Sequence, residues 1–172
     1  MALAGQQAGF SQLLERYRDA VFRLVRHHVG DEADALDVTQ ESFIAAFAAL
    51  HRFDAARPFK SWLLRIALNK CRDWGRRRKV RQFFTWARPI EEAYDLADSA
   101  PDPEAALASS AEVARIRKAL VSLPASLKDP LILCALEGHS QEDAAMLLGI
   151  SRKAVEVRIY RARQKLSAVL EG

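Results

Sequence analysis

The stretch from Gly138 to Leu166 constrains the chain most, because it predicts two short helices around one tight turn. Ser140 and Asp143 form a capping-box pattern that opens the first of these helices. Gly149 suits the left-handed residue that closes a helix, and Ser151 suits the cap of the next one. The pattern therefore predicts a helix-turn-helix unit.

Periodicity divides the second of these helices into two faces. The apolar residues that recur at three- and four-residue steps are predicted to face the core, and they are Val155, Ile159, Ala162 and Leu166. The residues left outside are Arg152, Lys153, Glu156, Val157, Tyr160, Arg161 and Gln164. Such a basic and polar outer face, on the second helix of the unit, suits the major groove of DNA.

Helical spacing of apolar residues also predicts helices in the first half of the chain. One covers residues 10–29 with Gly30 as its stop, and Asp31 is placed to cap the next. That second helix is predicted to turn inward Leu36, Phe43, Ile44, Phe47 and Leu50. Its outer face carries three polar residues, Asp37, Gln40 and Glu41. Composition alone favours simple solvation of this outer face over binding.

A third helix follows a break at residues 51–60 and is rich in basic residues. It is predicted to bury Trp62, Leu63, Ile66, Ala67 and Trp74. Between residues 65 and 81, eight basic residues accompany a single acid, Asp73. Most charge runs are solvated faces, but the amide and aromatic residues interleaved here favour a surface that contacts phosphates.

Residues 85–110 differ in character, since acids and prolines replace large apolar side chains and predict a linker. Beyond it, Ser109 with Glu112 predicts a capping box, and Asp129 followed by Pro130 predicts the cap and first position of another helix. The predicted fold is all-α, with two small helical domains joined by a flexible acidic linker. Their predicted bounds are 1–84 and 111–172, on either side of the linker.

Composition excludes several classes of protein. The 26 Lys and Arg exceed the 22 Asp and Glu by only four. The positions where charges cluster are therefore more informative about binding partners than the net charge is. Cys71 and Cys134 lie far apart, without the spacing of a zinc site, which favours a reducing compartment. Neither a membrane-spanning apolar run nor a secretory signal is evident. We expect a soluble, cytoplasmic protein without metal or cofactor.

Two blocks of the sequence resemble bacterial RNA-polymerase sigma factors of the extracytoplasmic-function subfamily. Residues 37–43 (DVTQESF) and 59–73 (FKSWLLRIALNKCRD) are similar to the second conserved region of that family. Residues 123–166, from Leu-Pro through EGHSQE to RARQKL, are similar to the fourth. A helix-turn-helix alone is moderately specific, whereas both blocks in order across an acidic linker are highly specific.

The resemblance implies an initiation factor with two promoter contacts and several partners. The helix after Ser151 would read the −35 element through Arg152, Lys153, Glu156, Val157, Tyr160 and Arg161. The opened −10 element would be held by Phe53, Phe59, Lys60, Arg65, Asn69, Asp73, Arg76 and Arg77. In the same family the segment from Phe53 to Lys60 matches the loop that receives a flipped base. The clamp helices of the polymerase core would bind Asp37, Gln40 and Glu41.

The resemblance also implies that the flap of the polymerase core is a partner of the second unit. An anti-sigma factor is a further implied partner, and a membrane-bound one would hold the chain at the membrane. No cofactor is implied. Initiation factors of this family do not themselves catalyse RNA synthesis, so the chain is not expected to be an enzyme.

The recognition helix departs from the family pattern. Many relatives have Gly-Thr-Val, a basic residue and Ser early in this helix, whereas this chain has Lys153-Ala-Val-Glu156-Val157. A glutamate can accept a hydrogen bond from cytosine, and a valine can contact a thymine methyl group. The promoter sequence of relatives therefore does not carry over to this chain.

Linker length sets a condition on promoter binding. Residues 85–110 span about 90 Å when fully extended and about 30 Å as a relaxed coil. Promoter elements two helical turns apart lie roughly 70 Å from each other. Since only an extended linker bridges them, the polymerase core must hold it, and the free chain is expected to bind promoters weakly.

Two other classes of function are weighed against this one. A repressor or response-regulator-type activator shares the helix-turn-helix but needs a sensor or dimerisation unit, for which the Trp- and Arg-rich third helix is poorly suited. A metal-dependent nuclease needs converging acids, yet Asp37 and Glu41 gain no third ligand. The histidines at 27, 28, 51 and 139 are expected at the surface or as caps, and both cysteines as packed thiols.

Overall fold

The computed structural model describes residues 7–86 and 105–171, and those ranges contain helices and no strand. The α-helices are α1 Gln7–Val29, α2 Glu32–Ala48, α3 Phe59–Trp86, α4 Ala105–Ser122, α5 Ala125–Leu131, α6 Gln141–Leu148 and α7 Arg152–Glu171. A 3-10 turn, Leu50–Arg52, follows α2, and a π-helical segment, Ile132–Leu136, continues α5. The prediction of an all-α fold is confirmed.

The first helical unit consists of α1, α2 and α3, which pack against one another. Gly30 ends α1 with a φ of +86°, and the Asp31 carboxylate caps α2 by accepting a hydrogen bond from the Asp34 amide at 2.9 Å. Leu24, Leu63 and many other apolar side chains fill the space between the helices. The predicted first helix, its stop and the cap of the second helix are thus confirmed.

The second helical unit consists of α4 to α7, and its helix-turn-helix forms as predicted. The Ser140 hydroxyl accepts from the Asp143 amide at 3.0 Å, and Ser151 does the same for the Ala154 amide at 3.1 Å. Between them Gly149 takes the left-handed conformation, with φ 67° and ψ 37°. The turn angle between α6 and α7 is therefore fixed by local chemistry.

Two predicted helix starts in this unit are wrong. The capping box expected at Ser109 lies inside α4, which already begins at Ala105. Asp129 is not a cap either, because α5 begins after Pro124 and holds Asp129 and Pro130 in its last turn. The Asp129 carboxylate instead faces the first unit, where it pairs with Arg72 at 2.7 Å.

The linker prediction can be compared with the structure only at its ends. Residues 87–104 lie outside the described residues, while 85–86 complete α3 and 105–110 belong to α4. The domain bounds stay a prediction.

The two units contact each other, and their buried apolar residues belong to one continuous cluster. In the described ranges, no helix has the length and apolar character needed to cross a bilayer.

Candidate nucleic-acid and polymerase interfaces

The orientation of α7 is fixed by the apolar residues on its buried side, which leave the opposite side in solvent. Val155 and Ala162 are fully buried and Ile159 is 8 % exposed, which fixes the rotation of the helix. The predicted reading residues that are exposed as a result are Arg152, Lys153, Glu156, Tyr160 and Arg161. Val157 is half-buried beside them. Five of the six predicted residues therefore stand in solvent along one helix.

Ion pairs organise the charges on this face. The Lys153 ammonium lies 2.9 Å from a Glu156 carboxylate oxygen, and Arg152 pairs with Glu142 of α6 at 2.9 Å. Tyr160 accepts a hydrogen bond from the Gln164 amide at 2.9 Å. Because Glu156 carries a cation of its own, its charge is partly balanced before any phosphate approaches. This reduces the electrostatic objection to an acid on a DNA-reading helix.

The predicted polymerase-binding residues lie on α2, but they differ in their partners. Asp37 and Gln40 are exposed. Glu41 is instead paired with α3, through Lys70 at 3.8 Å and Arg77 at 3.2 Å. Glu41 therefore fixes α2 against α3 in addition to standing at the surface.

The same face of α2 carries two large apolar side chains that were predicted to be buried. Leu36 is 56 % exposed and Ile44 is 61 % exposed, so the inward assignment of both residues is wrong. They lie four residues before and four residues after Gln40, on the same helical stripe. Their spacing from Gln40 was the sequence signal that would have placed them outside. Exposed apolar side chains grouped with polar ones are typical of protein interaction surfaces.

An aromatic cluster stands at the start of α3. Phe53 packs edge-on against Phe59 with 5.3 Å between ring centroids, and lies 5.1 Å from the Trp62 ring. Tyr17 of α1 completes the cluster at 5.3 Å from Phe59. Lys60 is exposed next to it. The predicted base-receiving segment thus has aromatic faces supported by a second helix, which is the chemistry on which bases stack.

The remaining predicted −10 residues follow one another along α3. Arg65 and Asn69 are exposed, and Asp73 forms an ion pair with Arg76 three residues on. Arg77 forms an ion pair with Glu41 of α2. Arg72 was not in the predicted set, yet its guanidinium donates to the Asn69 side chain at 3.1 Å. The structure brings these predicted residues onto one helix, where Arg72 is bonded to one of them.

Metal chemistry finds no support in the described ranges, where no three His, Cys, Asp or Glu side chains group as ligands. Cys71 is buried, as predicted, and burial followed by the nearby Asp129 charge raises its pKa to about 12. His28 is also buried, at 2 % exposed, so the prediction of a surface or capping histidine is wrong there.

Comparison with known proteins agrees with this geometry. The sigma-70 region 2 family matches residues 13–81, and the sigma-70 region 4 family matches residues 114–166. The RNA polymerase sigma factor CnrH of Cupriavidus metallidurans is 44 % identical over 99 % of this chain and 91 % of its own length. The ECF RNA polymerase sigma factor SigM of Mycobacterium tuberculosis is 32 % identical over 98 % of this chain and 80 % of its own.

A solved structure also resembles the whole described fold. It is the structure of CnrH in complex with the cytosolic domain of CnrY, with a TM-score of 0.67 and 37 % identity. The match covers 99 % of this chain and 92 % of that one.

Proposed function

Because this chain belongs to the extracytoplasmic-function subfamily of RNA polymerase sigma factors, we propose specific roles for its exposed faces in promoter recognition. As a sigma factor it directs the polymerase core to promoters and starts transcription. The observation that carries the proposal is the order of the two matched regions, each of which presents polar and basic side chains on one long helix. The core performs the catalysis, and this chain supplies recognition.

The second unit reads the −35 element with α7 in the major groove. Arg152 and Lys153 at its N-terminal end contact guanine edges or phosphates, and Tyr160 and Arg161 contact the backbone further along. Glu156 accepts a hydrogen bond from a cytosine amine, and Val157 packs on a thymine methyl group. Support comes from the exposure of this face and from its fixed rotation.

The first unit holds the opened −10 element along α3. Phe53, Phe59 and Lys60 receive a base that leaves the stack, because aromatic faces and a cation suit an unpaired nucleotide. Arg65, Asn69, Asp73, Arg76 and Arg77 then follow the non-template strand. Support comes from the shared helix and from the exposed basic groups along it.

The polymerase core is bound by α2 and by the second unit. The clamp helices meet Asp37, Gln40 and Glu41, and we add Leu36 and Ile44 because their exposed apolar surface gains from burial in a complex. The flap meets the second unit. The chain acts where the polymerase is, in the bacterial cytoplasm.

An anti-sigma factor restrains this activity. The relative CnrH was solved with the cytosolic domain of CnrY, and the present chain shares its fold at 37 % identity. We propose a corresponding partner for this chain, which competes for the surfaces that polymerase needs and which holds the chain near the membrane if it is itself anchored there.

Run-off transcription with purified polymerase core tests the function. Core with this chain yields transcripts of defined start from a randomised promoter library, whereas core alone does not. A repressor or a nuclease gives no such product. Failure to obtain a promoter-dependent transcript from any library member would overturn the proposal.

The roles of the two helices are separated by template design. Lys153→Ala weakens initiation on a promoter that carries a −35 element but not on a template from which the −35 duplex is removed, since it acts at −35. Asn69→Ala weakens initiation on both templates. Ser167→Ala, an exposed change on α7 away from the reading residues, serves as the control. Equal behaviour of the first two variants on both templates would contradict the division.

A further inference from the structure

The last turns of α3 expose an aromatic patch, formed by Val80, Phe83 and Phe84. Val80 is 54 % exposed, Phe83 is 72 % exposed and Phe84 is 64 % exposed. The two phenylalanine rings stand edge to face, with 6.0 Å between their centroids and 80° between their planes. Large apolar side chains that are exposed as a group mark a surface that a partner covers.

The aromatic patch continues the face of α3 that the proposed −10 contact uses. Residues three or four positions apart on a helix are neighbours on its surface. Steps of that size connect, in order, Arg65, Asn69, Asp73, Arg76, Val80 and the phenylalanine pair at 83 and 84. The patch and the proposed −10 residues therefore share one continuous side of the helix.

The opposite side of α3 is turned toward the protein interior at the same level. Trp74 is 6 % exposed and belongs to the buried apolar cluster, and the Arg78 guanidinium lies over its ring at 5.1 Å. Phe83 follows Trp74 by nine residues, which at 3.6 residues per turn places it about half a turn away around the helix. The burial of Trp74 thus fixes the outward direction of the patch.

Basic side chains flank the aromatic patch. Residues 74–86 include five cations and no acid, and the cations are Arg76, Arg77, Arg78, Lys79 and Arg81. Lys79 and Arg81 are exposed and stand one residue before and one residue after Val80, so they border the patch on its two sides. Cations attract the phosphates of a nucleic acid, and exposed aromatic faces between them are surfaces on which unpaired bases stack.

The aromatic patch is distinct from the aromatic cluster at the start of α3. Phe59 and Phe83 are 24 residues apart on one helix, which corresponds to about 36 Å. A single base cannot contact both sites. A strand that leaves the Phe59 cluster and follows the polar residues of α3 arrives at the patch at the far end of the helix.

We propose that the aromatic patch stacks on unpaired bases of the opened promoter strand, beyond those that the rest of α3 contacts. The patch lengthens the contact with the opened strand and disfavours its return to duplex. This inference rests on the proposed function, because the strand must already lie along α3.

Strand length provides the test. The holoenzyme is titrated with labelled single strands that carry the −10 element alone or that carry three additional nucleotides at one end or at the other, and anisotropy gives the affinity. The extension at the end that meets the patch should raise the affinity of the wild-type holoenzyme about fivefold or more, since each stacked base contributes separately. Phe83→Ala/Phe84→Ala should lose this gain and keep its affinity for the short strand.

Two further double variants separate stacking from simple apolar contact. Phe83→Tyr/Phe84→Tyr keeps flat aromatic faces and should retain the gain. Phe83→Leu/Phe84→Leu keeps apolar side chains without aromatic faces and should lose it. Val169→Ala, an exposed apolar position on α7, is the control and should behave as wild type.

An abasic extension separates bases from phosphates. It adds the same three phosphates without bases, so it should give the wild-type holoenzyme no more than a small part of the gain. An abasic extension that gives the full gain would overturn stacking, because the flanking cations alone would then explain it.

The remaining outcomes assign the patch to another partner or remove it. No gain from either extension, or a full gain in Phe83→Ala/Phe84→Ala, would overturn the proposal. Reduced affinity of that variant for polymerase core with an undiminished gain would make the patch a protein contact instead. Sedimentation of the wild-type chain with phosphatidylglycerol vesicles, abolished in the variant while the gain is undiminished, would make it a lipid contact instead.

The short strand keeps this test separate from that of the proposed function. A wild-type holoenzyme that does not bind the short strand contradicts the proposed −10 contact itself. A holoenzyme that binds the short strand but gains nothing from either extension contradicts only the role of the aromatic patch.

Discussion

Glu156 is the residue whose chemistry departs most from a purely basic DNA-reading face. It lies 2.9 Å from Lys153, so the two side chains form a balanced pair at the surface of α7. A carboxylate can read the cytosine amine, whereas a lone negative charge among phosphates would be repelled. In the proposed −35 contact, this pairing would balance the charge of Glu156 while its carboxylate reads a base.

Glu156→Ala is expected to change base preference at one −35 position by about 1–3 kcal/mol, because it removes one acceptor from the groove. Selection from a randomised promoter library with the holoenzyme measures this. Glu171→Ala, an exposed acid at the far end of α7, is the control and should leave the preference unchanged. The same −35 preference for wild type and Glu156→Ala would remove the base-reading role.

Cys71 illustrates how burial sets reactivity at a single residue. Its pKa is raised to about 12, by burial first and by the Asp129 charge second, so the thiol is protonated at neutral pH. The thiolate is the reactive form, so the raised pKa makes the native thiol a poor nucleophile.

Native Cys71 should therefore react with iodoacetamide at least about 100-fold more slowly than the same residue in urea-unfolded chain, as measured by peptide mass spectrometry. Asp129→Asn should accelerate the reaction, because it removes a negative charge that raises the pKa of the thiol. Modification at the same rate in native and unfolded protein would contradict the burial and the raised pKa.

At the scale of elements, α2 shows that one helix can face both a core and a partner. Val38 and Phe43 are buried while Leu36 and Ile44 are exposed, so apolar residues lie on two sides of the helix. Polarity alone did not distinguish them, and only their spacing relative to Gln40 does. The exposed pair gives α2 a mixed apolar and polar surface of the kind that protein partners bind.

Leu36→Ser with Ile44→Ser should weaken affinity for polymerase core by about tenfold or more, since both side chains lose apolar area that a complex would bury. Fluorescence anisotropy of labelled chain measures this, and thermal unfolding should change little because both positions are exposed. Val169→Ser, an equally exposed apolar position on α7, is the control. Undiminished affinity of the double variant would remove these residues from the interface.

At the scale of the whole molecule, the two units contact each other in this structure, whereas promoter elements roughly 70 Å apart require them to separate. The contact uses polar side chains of α1, α3 and α5, and Arg72 forms an ion pair with Asp129 in it. The linker is long enough to let the units separate, but it does not itself favour the extended arrangement. Interaction with the polymerase core has to stabilise that arrangement.

The isolated chain should therefore bind promoter duplex weakly in a mobility-shift assay, whereas the holoenzyme binds tightly. Strong and specific duplex binding by the wild-type chain alone would contradict the requirement for core.

Local chemistry in the sequence was sufficient for several elements. Ser140, Gly149 and Ser151 determined the helix-turn-helix, because caps and left-handed turns depend on residues only a few positions apart. The periodicity of Val155 and Ile159 determined which side of α7 faces the core. The family resemblance was likewise carried by short ordered blocks of sequence.

Contacts between distant residues were decided by the tertiary structure alone. Asp129 before a proline matches the local pattern of a cap, yet it binds His28 and Arg72, which lie 101 and 57 residues away along the chain. No local pattern encodes such pairs, because their energies depend on which surfaces meet after the helices have formed.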